Sequence, residues 1–299
     1  MRLGADLHVH TIASDGYCTM TELAVAARGR GLEMIAITDH GPALAPRGAE
    51  LYYFRNLRVA ASIIDGVRVL KGCEANIVPD TENGLDLPDD HLARLDLVAA
   101  GFHPGMGFDA VDRARNTEVL LRVIENPYVD LITHPGNDVQ FPLEIEPIVA
   151  AAAKHRVALE LNNHSFDDIT PRSKATERER EFAAAAKAVG APVAVGSDAH
   201  FANRVGVFDA AVAAAESLGF AEDEILNHTA ASVLAFLCGK RERPYLDAGG
   251  EWSWREAVGL GENGSDDCER RDPRGGGRDA TVLEALMRLK DGTRKEGPS

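Results

Sequence analysis

The stretch Asp6-Leu7-His8-Val9-His10 follows a short apolar run near the start of the chain and has the pattern of a strand that ends in two histidines. Side chains alternate between the two faces of a strand, so His8 and His10 are expected to point the same way. Two imidazoles on one face at a strand end can hold one metal ion. An ordinary pair of hydrogen-bonded histidines is the alternative, and the rest of the chain decides between the two.

Apolar runs alternate with helical patterns up to about residue 240, which indicates seven strand–helix units and a parallel α/β fold. A capping box at Thr19–Glu22 predicts the start of the first helix. Helices are also predicted over Glu50–Ile64 and Asn203–Leu218. The sheet could close into a barrel or stay open and doubly wound.

Histidine and acidic side chains follow six of the seven predicted strands, always at the C-terminal end. They are His8, His10, Asp15, His40, Glu74, His103, His134, Asp198 and His200. In a barrel these ends converge on one mouth, whereas an open sheet would spread them along an edge, so the barrel is favoured. Because a zinc ion with an open position takes about three protein ligands, nine side chains predict a cluster of up to three ions, bridged by Glu74.

Composition narrows the function classes. The net charge of −15 argues against a long nucleic-acid partner, which usually requires a basic stripe. No run approaches the roughly 18 apolar residues of a membrane span, and no signal-peptide pattern precedes the first strand, so a cytoplasmic location without a membrane partner is expected. The four scattered cysteines form no C-x-x-C pair and indicate neither a zinc knuckle nor a disulfide framework.

Residues 1–245 are predicted to form the barrel domain, and residues 246–299 a Gly-rich, charged and flexible extension. Helical spacing over Asp279–Asp291 leaves two interpretations open, a transient helix or a docking helix for a partner or a neighbouring subunit. A homo-oligomer is also left open.

Six motifs in this order resemble the PHP (polymerase and histidinol phosphatase) family of metal-dependent phosphoesterases, and within it the YcdX-like phosphatases. They are Asp6-Leu7-His8-Val9-His10-Thr11, Ile37-Thr38-Asp39-His40-Gly41-Pro42, Gly72-Cys73-Glu74-Ala75-Asn76, Gly101-Phe102-His103, Thr133-His134-Pro135-Gly136-Asn137 and Gly196-Ser197-Asp198-Ala199-His200. The resemblance covers residues 1 to about 240. It implies a distorted seven-stranded, TIM-like (β/α) barrel with a trinuclear site that usually holds zinc and sometimes manganese or iron.

The resemblance also implies how the ligands are divided among the three metal ions. One ion would be held by His8, His10, Glu74 and Asp198, a second by Glu74, His103 and His134, and a third by His40 and His200. The catalytic set would be His8, His10, Glu74, Asp198 and His200. One departure concerns the loop after His10, where YcdX-like members have a histidine ligand and this chain reads Ser14-Asp15-Gly16. Asp15 is expected to take that role, and a turn hydrogen bond to Gly16 is the alternative.

The chemistry expected of such a site is hydrolysis of a phosphate monoester by metal-activated hydroxide. Arg172 and Lys174, Arg204, and His164 follow the sixth and seventh strands and are predicted to bind the anionic substrate. The substrate would be a small phosphorylated metabolite, such as histidinol phosphate or a nucleotide. The leaving group is not identified by the sequence.

Other functions compete with this one. An amidohydrolase-type barrel that cleaves C–N bonds also begins with H-x-H, but it typically adds a lysine on the fourth strand, where this chain has Gly101-Phe102-His103. A metal-binding regulatory module that has lost catalysis would lack ligands, and only the position of Asp15 is in question. A nuclease acting on DNA ends would suit short nucleotides better than long duplexes.

Removing all residues from Gly249 onward should leave the barrel folded and its metals bound, because every predicted ligand precedes that point. Circular dichroism and elemental analysis of the truncated protein check this expectation. A truncated chain that does not fold, or that binds no metal, would place the domain boundary elsewhere.

Overall fold

The computed structural model of the protein describes residues 1–106, 112–137, 141–166 and 175–241. Its strands are β1 (Ala5–Val9), β2 (Met34–Ile37), β3 (Ile63–Ile64), β4 (Val67–Asn76), β5 (Leu97–Gly101), β6 (Leu131–Ile132), β7 (Ala158–Asn162) and β8 (Val193–Gly196). They form one sheet in which β1, β2, β4, β5, β6, β7 and β8 lie side by side in this order and pair in parallel. β3 is a short antiparallel addition to β4.

The two edges of the sheet meet near the mouth of the barrel, which is the end formed by the C-terminal ends of the strands. Val9 at the end of β1 forms a parallel bridge with Ala199, three residues beyond β8. The N–H of His10 donates to the carbonyl of Ala199 at 2.9 Å, and the N–H of Ala199 donates to the carbonyl of His8 at 3.2 Å. The first and last strands are therefore neighbours, which confirms the predicted barrel and excludes the open sheet.

Further from the mouth, β1 and β8 are joined by two buried side chains, Asn227 and Asp6. We call this junction of the first and last strands the seam. The amide of Asn227 donates to the carbonyls of Ala5 and Val195, at 2.6 and 2.8 Å, and its oxygen accepts the N–H of Val195 at 2.9 Å. The carboxylate of Asp6 accepts the backbone N–H and the hydroxyl of Ser197. Side chains thus satisfy backbone groups that a sheet would otherwise pair directly.

Helices cover the outside of the barrel and one of its ends. They are α1 (Met20–Gly29), α2 (Leu51–Asn56), α3 (Asp89–Leu92), α4 (Arg113–Glu125), α5 (Ile145–His155), α6 (Ala175–Val189), α7 (Asp209–Ser217) and α8 (Ala230–Lys240). The predicted capping box is present, since Thr19 accepts the N–H of Glu22 and the side chain of Glu22 accepts the N–H of Thr19. α8 brings Val233, Leu234 and Leu237 against the inner side chains at the N-terminal ends of the strands.

The barrel interior has an apolar layer below and a polar layer at the mouth. Ala5 and Leu7 pack with α8 in the lower layer, whereas His8 and His10 belong to the upper one. This change of face within β1 coincides with an irregularity in its pairing with β2, where three residues of β1 span the length of two residues of β2. Such an extra residue redirects the side chains that follow it.

Two helix predictions are wrong in part. Within Glu50–Ile64 the helical conformation ends at Val59, and a two-residue turn at Asp65 and Gly66, both with positive φ, folds Ile63–Ile64 back onto β4. Asp-Gly is a strong signal for such a hairpin. Within Asn203–Leu218, a short 3-10 helix ends at Arg204, and Gly206 takes a φ of 69° before α7 begins.

In the described part of the chain, no helix has both the length and the apolar character needed to cross a lipid bilayer. The predicted C-terminal extension, residues 246–299, and the helix predicted within it lie outside the described residues.

Replacing Asn227 by alanine should lower the free energy of unfolding by about 2–4 kcal/mol, because three buried backbone groups of β1 and β8 lose their partners. Urea denaturation measures the change. Asn203→Ala, at an exposed position, is the matched control and should stay within about 0.5 kcal/mol of the parent. Equal and small effects of both substitutions would contradict this account of the seam.

Candidate metal centre

The nine side chains predicted as ligands come together at the mouth of the barrel. Each lies at, or just beyond, the C-terminal end of a strand, where the inner faces of neighbouring strands converge. Most are buried, and His8 and His10 are completely so, while the His200 side chain is 26% exposed at the outer edge. The outer edge of the cluster is therefore the side from which a substrate would approach.

The carboxylate of Glu74, at the inner face of β4, lies at the centre of the cluster. Its two oxygens are 3.0–3.5 Å from ring nitrogens of five histidines: His8, His10 and His40 around Oε2, and His103 and His134 around Oε1. The hydroxyl of Thr133 also donates to Oε1, at 2.6 Å. Glu74 thus directs one carboxylate oxygen to each of two groups of imidazoles.

Asp198 and Asp15 extend the cluster on the other side of His10. Asp198 Oδ1 lies 3.4 Å from His10 Nε2, and Asp15 Oδ1 lies 3.3 Å from His200 Nε2. The candidate ligand atoms then form three overlapping groups. These are His8, His10 and Asp198; His40, Glu74 and His103; and His10, Asp15, His40 and His200. This arrangement puts Asp15 among three imidazoles.

Several buried polar atoms of the cluster have no hydrogen-bond partner. They are both ring nitrogens of His10 and of His103, Nδ1 of His40 and Oδ1 of Asp15. Buried polar atoms almost always have partners, so a group of them facing one another is typical of side chains that bind a cation. Imidazole and carboxylate donors suit zinc, and they also suit manganese or iron. The donor set therefore fits the predicted metals.

The ionisation of the cluster reflects its burial and its mixed charges. Burial alone would raise the pKa of Glu74, but the imidazoles of His8, His103 and His40 hold it well below its usual range. Burial opposes protonation of His8, yet the carboxylates of Glu160, Glu74 and Asp198 raise its pKa well above the ordinary value.

The two histidines that flank Asp15 are affected in opposite directions. The pKa of His40 is lowered well below its usual value, first of all by burial. For His200, burial is outweighed by the close contact with the carboxylate of Asp15 and by the charge of Asp198, which raise its pKa to about 9. Because carboxylates raise the pKa of some of these imidazoles, metal binding there would be coupled to the release of protons.

A network around Asp39, the residue directly before His40 in the second motif, fixes the loop that carries Asp15. The carboxylate of Asp39 is completely buried. It accepts the backbone N–H and the hydroxyl of Thr11, at 2.7 and 2.8 Å, and the hydroxyls of Ser14 and Tyr53. The position of Asp39 directly before His40 was the available signal, since a buried acid beside a ligand usually supports it.

Glu160 and Asn162 were also missed. They alternate with Leu159 and Leu161 along β7, so their side chains share the inner face of the barrel. Glu160 contacts His8, and Asn162 contacts Asp198. The sequence signal was this alternation of polar and apolar residues on a strand of an otherwise apolar barrel.

The predicted substrate-binding residues have different outcomes. His164 lies at the edge of the cluster, with its side chain 30% exposed and Nδ1 3.6 Å from Asp198 Oδ2. Arg204 is half-buried in the 3-10 helix four residues after His200. Arg172 and Lys174 lie outside the described residues. The substrate-binding role of all four stays a prediction.

Comparison with known proteins supports the interpretation drawn from the motifs. The model of the PHP domain family matches residues 6–171. A protein of Acetivibrio thermocellus named "Probable phosphatase" is 43% identical over 245 residues, which are 81% of this chain and 98% of that protein. A second probable phosphatase, from Caldanaerobacter subterraneus subsp. tengcongensis, is 43% identical over 255 residues, covering 85% and 97% of the two chains. The predicted enzyme class, a PHP-type phosphatase, is confirmed, whereas the YcdX-like subgroup stays a prediction.

Solved structures share the fold. Histidinol phosphate phosphatase from Lactococcus lactis, solved with zinc, L-histidinol and phosphate, superposes with a TM-score of 0.54 at 18% identity, over 74% of this chain and 95% of that one. A putative histidinol phosphatase from Listeria monocytogenes gives 0.52 at 15% identity, over 68% and 97%. At these identities the likeness concerns the barrel alone.

Glu74→Ala should reduce the metal content from about two or three ions per chain to one or none, because the bridging carboxylate contacts five of the candidate ligands. Elemental analysis after metal restoration measures it. His164→Ala, at the edge of the same mouth, should keep the parent content. Similar metal contents in the two variants would show that Glu74 does not bridge.

Asp15→Ala should remove about one ion per chain and leave the others, because Asp15 Oδ1 faces three imidazoles but does not contact Glu74. Metal content after exhaustive dialysis is the measurement. Unchanged content would mean that Asp15 serves the loop and is not a ligand.

Proposed function

The chain belongs to the PHP domain family, and on that premise we propose that it hydrolyses phosphate monoesters of small metabolites at a centre of up to three metal ions. One observation carries the proposal: buried imidazole and carboxylate atoms without hydrogen-bond partners face one another at the open end of the barrel. Such a site is costly to fold without a cation and well suited to bind one. Zinc is the proposed metal, with manganese or iron as alternatives.

We assign the ligands as the resemblance implies, with Asp15 added. His8, His10, Glu74 and Asp198 would hold one ion; Glu74, His103 and His134 a second; and Asp15, His40 and His200 a third. Bound there, the metals would lower the pKa of a water molecule towards ~7 and neutralise the charge of a phosphate group. Of the ligands, His8, His10, Glu74, Asp198 and His200 are the proposed catalytic set.

In the reaction, the protein itself positions the ligands and the substrate and keeps water away from the inner side of the cluster. Within the described residues, the apolar layer and α8 cover the inner histidines from below, so the mouth is the side from which water and substrate would reach the cluster. Phosphoryl transfer requires positioning and charge neutralisation more than covalent help from the protein. His164, at the edge beside Asp198, would contact the substrate there. Arg172, Lys174 and Arg204 would supply positive charge to the phosphate.

The competing C–N hydrolase finds no support in the described residues. Lys71 is the one lysine on a described strand, and its side chain contacts the hydroxyl of Ser62 and not the metal cluster. The position that matches the fourth barrel strand of that class ends in His103, whose Nε2 lies 3.3 Å from Glu74. Phosphate ester hydrolysis therefore remains the better proposal. We further propose a cytoplasmic location, with a small phosphorylated metabolite as the partner.

The test is a metal-dependent phosphatase assay. Protein stripped with a chelator should hydrolyse p-nitrophenyl phosphate and one or more members of a panel of phosphorylated metabolites, histidinol phosphate included, only after zinc or manganese is restored. A variant tests the site directly: His103→Ala removes an imidazole beside Glu74 and should lower the restored activity by about tenfold or more. Hydrolysis that persists without metal, or none on any ester after restoration, would overturn the proposal.

A further inference from the structure

The carboxylate of Glu160 determines which nitrogen of His8 faces the metal cluster. Glu160 is 3% exposed, and its Oε1 lies 2.7 Å from His8 Nδ1. A carboxylate oxygen accepts hydrogen bonds, so Nδ1 carries a hydrogen, and in the neutral ring that binds a metal the lone pair is therefore on Nε2. That nitrogen points to the carboxylates of Glu74 and Asp198, at 3.1 and 3.7 Å.

The second oxygen of Glu160 is tied to two other parts of the cluster. Oε2 accepts the backbone N–H of His134 at 2.8 Å and the side-chain amide of Asn162 at 3.0 Å. The same amide of Asn162 lies within hydrogen-bond distance of Asp198 Oδ2, at 3.2 Å. His134 has a φ of 32°, which non-glycine residues rarely adopt and which the contact with Glu160 helps to hold. Both oxygens of Glu160 are therefore occupied by donors.

The neighbouring strand leaves room for this carboxylate. A Cβ atom at Gly196 of β8 would lie 1.9 Å from Glu160 Oε1 and 3.0 Å from the Cβ of His8. Any larger residue there would displace the contact between Glu160 and His8. The glycine, the glutamate and the histidine thus form one fitted unit across three strands, β8, β7 and β1.

From these contacts we infer that Glu160 is a positioning residue of the metal centre, which fixes the Nδ1–H tautomer of His8 so that Nε2 binds the ion. Through Asn162 it also orients Asp198, and through the backbone N–H it holds His134. The inference rests on the proposed metal centre and adds a residue that is not itself a ligand. Carboxylates that hold a ligating imidazole in this way typically change metal affinity by 10- to 100-fold.

The substitution Glu160→Gln changes the tautomer that residue 160 imposes on His8 while leaving the packing of the side chain nearly unchanged. An amide keeps the shape of the side chain, and its oxygen can still accept the two donors of His134 and Asn162 only if its NH₂ group faces His8. That orientation makes His8 Nδ1 an acceptor and places the ring hydrogen on Nε2, where it blocks metal binding. The reversed amide would set its donors against two other donors.

The experiment uses the full chain loaded with zinc. Competition with a chromophoric chelator should show one zinc ion bound 10- to 100-fold more weakly in E160Q than in the parent. Asp96→Asn is the matched control. Asp96 is a buried carboxylate just before β5 that accepts the backbone N–H of Lys71. D96N therefore also replaces a buried carboxylate by an amide, but away from the cluster, and should leave zinc affinity unchanged. Nitrogen-15 NMR of histidine-labelled parent protein, with the His8 signal identified by its loss in His8→Asn, should show hydrogen on Nδ1.

The outcomes are distinct. Parent protein that binds no zinc overturns the metal centre itself, and the role of Glu160 with it. Zinc bound equally by the parent and E160Q overturns only the role of Glu160. If E160Q does not fold, the NMR measurement on the parent still decides, because hydrogen on Nε2 of zinc-loaded His8 would contradict the inference directly.

Discussion

The bridge between the first parallel strand and the segment that follows the last one is the constraint on which the rest of this molecule depends. His8 lies in β1 and His10 directly follows it, whereas Asp198 and His200 follow β8, so an open sheet would place them at opposite edges. The backbone bridge of Val9 with Ala199 closes the gap at the mouth. Below it, Asp6 and Asn227 bond the two strands through their side chains. The candidate site therefore exists only in the closed sheet.

Closure also divides the interior into two layers. Burial of the lower layer stabilises the fold, whereas burial of the upper layer by itself destabilises it. The lower layer is apolar and sealed by α8, and its burial stabilises the fold at about 25 cal/mol per Å² of apolar surface removed from water. The upper layer buries carboxylates and imidazoles, which is unfavourable unless they are paired or bind a cation. The irregularity in β1 lets one strand serve both layers, since Leu7 belongs to the lower layer and His8 to the upper.

The polar layer is supported by buried acids that are not ligands. Asp39 holds the loop of Asp15 through Thr11 and Ser14, and Glu160 holds His8 and His134. In both cases a carboxylate accepts hydrogen bonds from the segment that carries a candidate ligand. Fixed in this way, the ligand atoms need little rearrangement when a cation binds, which is the usual advantage of a supported metal site.

The sequence by itself determined the order of the strands and the placement of nine candidate ligands at their C-terminal ends. Both follow from local patterns, since the two-residue period of a strand and the residues after it can be read along the chain. The turn at Asp65 and Gly66 is also a local signal, but it lies just beyond the predicted helix Glu50–Ile64, whose last residues pair with β4 instead. The helical pattern of Asn203–Leu218 likewise continues across Gly206, where the positive φ breaks the helix.

Only the tertiary structure decided which candidate ligands lie within contact of one another and which residues support them. Asn227 reaches Ala5 across most of the chain, and Glu160 meets His8 from β7. These partners are far apart in sequence and come together only when the sheet closes, so no local pattern records them. A strand's period fixes the face on which a side chain lies, whereas the curvature and register of the closed barrel fix what it meets there.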